Sequence, residues 1–235
     1  MSTSAKRRVA VVTGTNRATG NAIAHSLHEQ DWSIVSVNRT LSSEDWMQQH
    51  KCEFTDADEV VSTARRISTE NDEIHTFIAT AVSRNLAPIA DITADQYHES
   101  VMVNLTSVVL TIRELLPSIR RARGHIVVIG SHAGSRCFEG GTAYSTTKAA
   151  LKALVETLLL EERQNGVTTT LVSPGAIANF DHDHSPYKMT TESVAHCVRT
   201  LITSTPEDVA VGEVEVRPAN IPPPEVSGLD RLNFV

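Results

Sequence analysis

Short apolar runs alternate with longer helical stretches along most of this chain, and this alternation constrains its fold more than any other feature. Strands are predicted near residues 8–13, 33–37, 74–79, 125–130, 167–172 and 212–217, with a weaker one near 51–54. Helices are predicted near residues 20–30, 57–70, 94–122, 142–165 and 191–204. Thr93, followed three residues later by Gln96, predicts a capping box at the start of the third helix. Such alternation indicates repeated βαβ units and a parallel sheet.

The predicted domain covers residues 8–220, between a polar leader (1–7) and a proline-rich tail (221–235) that cannot continue a central strand or helix. The net charge of −7 argues against a nucleic-acid partner. The apolar stretch after the leader is too short for a signal-peptide core or a membrane span. The three scattered cysteines show no metal or redox spacing and favour a reducing compartment. We therefore expect one cytoplasmic domain without a membrane partner.

A glycine-containing turn follows the first predicted strand. The chain runs from Thr13 through Gly14-Thr15-Asn16-Arg17-Ala18-Thr19-Gly20 into a helix. Glycine lets the backbone approach a pyrophosphate, and the amino terminus of a helix favours the negative charge of that group. Taken alone, the segment also fits an ordinary glycine-rich turn between a strand and a helix.

Tyr144 and Lys148 lie one turn apart in a predicted helix, and Ser131 ends the strand before it. The i, i+4 spacing puts the phenol and the ammonium on one helix face, where the cation can stabilise a phenolate. A tyrosine supported in this way can serve as an acid or base toward an oxygen atom. Since reacting groups collect at the carboxyl ends of parallel strands, we expect Ser131 close to both.

The tyrosine segment, the upstream serine and the glycine turn together resemble the short-chain dehydrogenase/reductase family, of which this chain looks like a divergent member. The resemblance implies an α/β, single-domain, Rossmann-like, doubly wound parallel sheet of about seven strands with helices on both faces. It implies a catalytic set of Asn104, Ser131, Tyr144 and Lys148, in which Asn104 holds a proton-relay water beside the lysine. It also implies a homodimer or homotetramer formed through the helices near 94–122 and 142–165.

The same resemblance implies a nicotinamide cofactor. Its expected contacts are Gly14, Asn16, Arg17, Ala18, Thr19, Gly20, Asn38, Arg39, Glu53, Phe54, Ala79, Thr80, Ala81, Tyr144, Lys148, Pro174, Gly175, Ile177 and Asn179. No carboxylate stands at the end of the second predicted strand, where an NAD-preferring enzyme usually carries one. Each of Arg17 and Arg39 alone would more often be a solvated surface charge, but the pair favours NADP(H) over NAD(H).

Two cofactor loops depart from the family pattern. Ala18 replaces the middle glycine of the turn, which is compatible with the turn if its φ is negative. The segment 79–82, Ala-Thr-Ala-Val, replaces Asn-Asn-Ala-Gly, so that a bracing amide is lost and a β-branched side chain replaces a glycine. These departures predict weaker nucleotide binding or a displaced backbone.

The predicted activity is NADPH-dependent reduction of a carbonyl group on a small organic substrate, or the reverse oxidation of an alcohol. One alternative is a nonreducing protein of the same fold, either a cofactor-holding regulator or an enzyme that uses the tyrosine for elimination or cyclisation. A second arises because Ser145 and Lys148 match the Ser-x-x-Lys motif of serine acylases. The Ser-Asp-Asn and Lys-Thr-Gly segments that accompany that motif occur nowhere in the chain.

Histidines offer two further hypotheses. The segment 181–184, Asp-His-Asp-His, contains good metal ligands, but such a short alternation on a loop is more typical of a polar lid, and no metal is predicted. His132, next to Ser131, could face the pocket as a hydrogen-bond donor or cap the following loop.

Overall fold

A computed structural model describes residues 7–180 and 182–220, in which a parallel sheet is covered by helices. The strands are β1 (Val9–Thr13), β2 (Ser33–Asn38), β3 (Gln48–Lys51), β4 (Thr76–Ala79), β5 (His125–Ile129), β6 (Thr168–Pro174) and β7 (Glu213–Val216). The helices are α1 (Ala18–His28), α2 (Ala57–Glu70), α3 (Ala94–Val101), α4 (Ser107–Ala122), α5 (Thr142–Glu162) and α6 (Thr191–Ser204). The proline-rich tail and all of the polar leader except Arg7 lie outside the described residues.

The order of the strands fixes where a ligand can bind. The seven strands run β3-β2-β1-β4-β5-β6-β7, and every neighbouring pair is parallel. The chain winds outward from β1 to β2 and β3, and then crosses back to β4 on the other side of β1. In doubly wound sheets the ligand crevice opens at the carboxyl ends of the strands where this reversal occurs. The predicted Rossmann-like α/β fold is confirmed.

The core is divided between the two faces of the sheet. Successive side chains of a strand point to opposite faces, so Val9 and Val11 pack with α2, α4 and α5, whereas Ala10 and Val12 pack with α1 and α6. Because central strands are buried on both faces, they appear in the sequence as continuous apolar runs.

Two predicted elements differ from the structure. The weak strand near 51–54 lies earlier, at Gln48–Lys51, because this edge strand is polar and lacks the apolar pattern on which the prediction depended. The helix predicted over 94–122 is divided by a π-helical turn, Met102–Thr106, which contains Asn104. Such turns often occur at functional sites.

The helical stretch Ala94–Ala122 is, within the described residues, the one segment long and apolar enough to cross a membrane by length and composition. Half of its apolar window is buried inside the protein. Ile112, Leu115 and Ile119 supply much of that burial against the sheet. Core packing therefore explains its apolar character.

We expect acid to destabilise the fold through His125, whose Nε2 lies 2.7 Å from Thr170 Oγ1. Burial lowers the pKa of His125 to about 4 from the ordinary 6.5, so the unfolded chain binds this proton more readily. Stability is therefore full above about pH 6.5 and falls by roughly 3 kcal/mol as the pH drops towards 4. In urea unfolding, His125→Val should show a smaller loss across this interval. Equal losses in the variant and the wild type would contradict this assignment.

Candidate active site

A cleft of about 510 Å³ opens between the loops that follow β1, β2 and β6. It is lined by Thr15, Asn16, Arg17, Ala18, Asn21, Ser42, Glu44, Asn179 and Phe180. This is the carboxyl edge of the sheet, where the fold places a ligand crevice. A second cavity, of about 550 Å³, lies where β1 and β2 begin and is remote from the predicted catalytic residues.

Glycine is required at both ends of the turn after β1. Gly14 has a φ of +76°, and a Cβ there would come within 2.9 Å of the Ala81 backbone. A Cβ on Gly20 would lie 2.3 Å from the Gly14 carbonyl oxygen. Ala18 is the first residue of α1 and has a negative φ, which is the condition under which alanine is compatible with the turn. Among the described non-glycine residues, only Asp31 and Arg123 have a positive φ. The turn thus forms a bare backbone cradle at the start of a helix, as a pyrophosphate site requires.

Thr80 joins two strands next to Ala79, which stands where the family carries its bracing asparagine. The Thr80 hydroxyl donates a hydrogen bond to the Thr13 carbonyl oxygen. In return, the Thr13 hydroxyl accepts from the backbone amides of Thr80 at 3.1 Å and Ala81 at 3.2 Å. The threonine pair therefore joins β1 to β4 without the missing amide, and the backbone is held against Gly14.

Asn38 braces the glycine turn rather than facing the cleft. Its buried side chain accepts from the Asn16 amide at 3.2 Å and donates to Thr15 Oγ1 at 2.8 Å. Asn16 in turn donates to the backbone and hydroxyl oxygens of Thr40. The turn after β2, with Arg39, is thus tied to the glycine turn.

Of the remaining predicted cofactor contacts, some lie at the cleft and others are buried or bonded within the protein. Thr19 Oγ1 donates to Asn179 Oδ1 at 2.7 Å, which links the glycine turn to the segment after β6, close to Ile177. Phe54 is buried in the core, and Glu53 Oε1 accepts from the amide and hydroxyl of Thr55. Ala79 and Pro174 are buried strand ends, and Gly175 donates from its backbone to Val216. The predicted contacts whose side chains are exposed therefore lie at the glycine turn, after β2 and after β6.

The charged side chains at or beside this cleft include Arg17 and Glu44, which line it, and Arg39, which directly follows β2. Arg17 and Arg39 are exposed, and neither guanidinium forms an ion pair or hydrogen bond with another described residue. Glu44, which sequence analysis did not identify, lines the same cleft and accepts a hydrogen bond from Trp46 Nε1.

Tyr144 and Lys148 lie on the first turns of α5, as predicted. The ammonium of Lys148 is buried, donates to the Ile129 carbonyl oxygen at 2.8 Å and lies 5.8 Å from the centroid of the Tyr144 ring. Burial lowers the pKa of Lys148 to about 8. Tyr144 is half-buried, and its hydroxyl bonds to no residue in the described part of the chain. The phenol is therefore available to a ligand.

Ser131 follows β5, two residues after the carbonyl group that holds Lys148. Its hydroxyl oxygen accepts from the Ala133 amide at 3.2 Å and so caps a short 3₁₀ turn, His132–Gly134. None of the described residues accepts the Ser131 hydroxyl proton, which can therefore be donated to a substrate oxygen.

Asn104 reaches this site through neighbouring groups rather than through Lys148 itself. Its buried amide donates to Thr147 Oγ1 at 3.1 Å and to the Ser83 carbonyl oxygen at 3.0 Å, and accepts from the Ser83 amide at 2.8 Å. It thus ties the loop after β4 to α5, one residue before the lysine.

Two sequence alternatives lose support here. Ser145 is 4% exposed and its hydroxyl oxygen is inaccessible to solvent, which excludes it as an acylase nucleophile. His132 faces Glu215 on β7 rather than the cleft, and burial lowers its pKa.

In the lid, Asp183 pairs with Lys188 at 2.6 Å and His182 stacks on Phe180, while Asp181 lies outside the described residues. No group of three potential metal ligands occurs in residues 7–180 and 182–220.

Comparison with known proteins agrees with the fold and the site described above. A model of the short chain dehydrogenase family matches residues 8–186. The chain belongs to this family. An uncharacterised oxidoreductase of Staphylococcus aureus strain MRSA252 is 30% identical over 228 residues, covering 90% of this chain and 97% of the relative.

Two solved structures share the short-chain dehydrogenase fold with this chain. An alcohol dehydrogenase of Thermococcus sibiricus, complexed with 5-hydroxy-NADP, has a TM-score of 0.83 at 24% identity and covers 93% of this chain and 99% of its own. A metagenomic blue fluorescent protein in complex with NADPH has a TM-score of 0.81 at 20% identity, covering 90% and 96%. By family membership, this short-chain dehydrogenase is an NAD(P)-dependent oxidoreductase.

The residues of this short-chain dehydrogenase fit a nicotinamide dinucleotide. Gly14 and Gly20 let the turn pack closely against the end of β4 at the start of α1, and Thr15, Asn16 and Arg17 of the same turn line the cleft. Sequence reasoning missed several side chains at or beside the site: Ser83, Arg84, Glu99, Thr147 and Glu44. They lie on loops or act across elements, where no periodic pattern marks them.

Proposed function

We propose that this short-chain dehydrogenase uses NADPH to reduce a carbonyl group on a small organic substrate, or oxidises the corresponding alcohol. The observation that carries the proposal is the free phenol of Tyr144 beside the buried ammonium of Lys148. Both lie on the helix that packs against the strand preceding Ser131. The glycine cradle opens at the same edge of the sheet.

When bound, the nicotinamide would supply the hydride that such a reduction needs. In the proposed mechanism, Tyr144 donates its proton to the carbonyl oxygen, and Ser131 holds that oxygen with its free hydroxyl proton. The Lys148 ammonium stabilises the phenolate that remains. Asn104 holds the loop and α5 in register, and a water beside it would return a proton from solvent through Lys148.

The charge state of Lys148 suits this role. A pKa of about 8 leaves the side chain mostly protonated at neutral pH, yet makes its proton easier to release than that of a surface lysine.

The proposal is tested by mixing the purified protein with NADPH or NADH and a panel of ketones, aldehydes and quinones, and following cofactor absorbance. Oxidation of the cofactor by at least one carbonyl class supports reduction. Tight cofactor binding without turnover of any member would favour the nonreducing alternative. That alternative has weaker support, because the full set of Asn104, Ser131, Tyr144 and Lys148 is present.

Cofactor selectivity gives a second test. Two unpaired guanidinium groups at the ribose end favour a 2′-phosphate through charge-assisted hydrogen bonds worth roughly 1.5–3 kcal/mol each. We expect Arg39→Ala to weaken NADPH binding by about ten-fold or more and to leave NADH binding nearly unchanged. Fluorescence titration of both nucleotides measures this, at two salt concentrations because exposed charges are screened.

Glu44→Gln is the matched variant, and it should change the affinity for NADPH in the opposite direction. Its carboxylate lines the same cleft as Arg17 and would repel a 2′-phosphate, so its neutralisation should strengthen NADPH binding. Equal affinity of the wild type for the two nucleotides would mean that the arginines are only surface charges.

Cytoplasmic localisation and assembly into dimers or tetramers are further proposals. Val109 on α4 is 39% exposed and Leu160 on α5 is 64% exposed, which leaves apolar side chains on both helices available to a second copy.

A further inference from the structure

A second cation lies over the catalytic phenol. The guanidinium carbon of Arg84 is 5.8 Å from the centroid of the Tyr144 ring, as far as the Lys148 ammonium is. Unlike Lys148, Arg84 is exposed. Throughout residues 7–180 and 182–220, no carboxylate pairs with it and no oxygen accepts a hydrogen bond from it.

The residue before Arg84 is held on two sides. The backbone of Ser83 exchanges hydrogen bonds with the Asn104 amide, at 2.8 and 3.0 Å. Its hydroxyl donates to Glu99 Oε1 at 3.0 Å. The Glu99 carboxylate is thus engaged by the loop and is not the counter-ion of Arg84.

The residues after Arg84 are held equally firmly. The Asn85 amide nitrogen donates to the Gln96 carbonyl oxygen at 3.0 Å and lies 3.1 Å from Glu99 Oε2. Further along, Ala87 forms a β-bridge with Gly141, the residue before α5. The backbone on both sides of Arg84 is therefore fixed to α3 and to the π-helical turn, and Ala87 ties the same loop to the start of the helix that carries Tyr144. A loop held in this way loses less backbone entropy when it binds a ligand.

We propose that Arg84 binds a carboxylate on the substrate, so that the enzyme acts on short oxo acids or the matching hydroxy acids. This inference rests on the proposed carbonyl reduction and adds the class of substrate. A guanidinium presents parallel donors that match a carboxylate. The protein carries a net charge of −7, so an anionic substrate needs a local cation of this kind. Because Arg84 lies over the reacting phenol, the carboxylate it binds is close to the carbonyl group.

The test compares acetoacetate with its methyl ester, which share the ketone and differ in charge. Each is titrated calorimetrically into the protein with oxidised cofactor, since two oxidised partners cannot react and only binding is measured. We expect the wild type to bind the acid at least ten-fold more tightly than the ester. Arg84→Met should remove that difference, and Arg84→Lys should keep part of it. Arg66→Met, which removes an exposed cation from α2, is the matched control and should change neither affinity.

The outcomes separate this inference from the proposed function. Equal affinities for acid and ester, or a preference that survives Arg84→Met, would overturn the role of Arg84 even if both compounds are reduced. A preference for the acid that depends on Arg84, without turnover of any carbonyl compound, would support the anion site and contradict the reductase. Cofactor affinity measured separately should be the same in wild type and Arg84→Met. A loss of cofactor affinity would assign Arg84 to the nucleotide and overturn the inference.

Discussion

Replacing Tyr144 with phenylalanine is expected to lower kcat/KM for carbonyl reduction by roughly 100- to 10,000-fold, the range of a lost general acid. The phenol makes no hydrogen bond to any described residue, so removing its oxygen leaves no protein group unpaired. Stability and cofactor affinity should therefore stay close to those of the wild type. Steady-state kinetics, thermal unfolding and nucleotide titration on the same preparation measure all three.

Tyr97→Phe is the matched control for this substitution. Tyr97 lies on α3 and is 38% exposed, so the same loss of a hydroxyl should leave kcat/KM unchanged. If Tyr144→Phe kept most of its activity in folded protein, another group would have to be the proton donor.

Replacing Lys148 with methionine is expected to reduce activity by about 100-fold or more without destabilising the protein. The pKa of Lys148 falls from 10.5 to about 8 on burial, so keeping this ammonium inside the fold costs roughly 3 kcal/mol at neutral pH. Against this, the variant leaves the Ile129 carbonyl oxygen without its donor, at about 1–3 kcal/mol. The free energy of unfolding at pH 7 should thus equal that of the wild type or exceed it by up to about 2 kcal/mol.

The difference in unfolding free energy between the wild type and Lys148→Met should change with pH in one direction. Because the folded pKa lies below the unfolded one, the cost of the ammonium is full below about pH 8 and disappears as the pH rises towards 10.5. The wild type should gain on the variant across this interval in denaturant titrations. An active variant would remove Lys148 from the mechanism, and a variant several kcal/mol less stable would show that the lysine holds the fold together.

Much of the fold was predictable because local signals agree with the packing. The predicted capping box forms, with Thr93 Oγ1 3.2 Å from the Gln96 amide and Gln96 Oε1 3.0 Å from the Thr93 amide. The continuous apolar run of β1 reflects burial on both faces. In contrast, β3 has one buried residue, His50, and no apolar periodicity, so its position depended on pairing with β2, which sequence alone does not reveal.

The site was predictable where chemistry follows a fixed spacing and not where it depends on contacts between elements. Tyr144 and Lys148 are one helical turn apart, so their proximity follows from the helix alone. The side chain of Asn38 was expected at the cofactor, but the structure directs it into the turn, because Thr15 and Asn16 offer it two partners. Glu44 reaches the cleft, and Arg84 reaches the Tyr144 ring, from loops whose paths depend on the whole fold.

The central claim is that this protein transfers hydrogen from NADPH to a carbonyl carbon, with Tyr144 supplying the proton. Mass spectrometry of a product formed with NADPH deuterated at C4 of the nicotinamide, on the transferred face, tests it most directly. We predict one deuterium on the carbinol carbon with wild-type protein, and a rate of labelling that falls with Tyr144→Phe but not with Tyr97→Phe. Product without deuterium from either face of the cofactor, or labelling that is equally fast in Tyr144→Phe, would contradict the account.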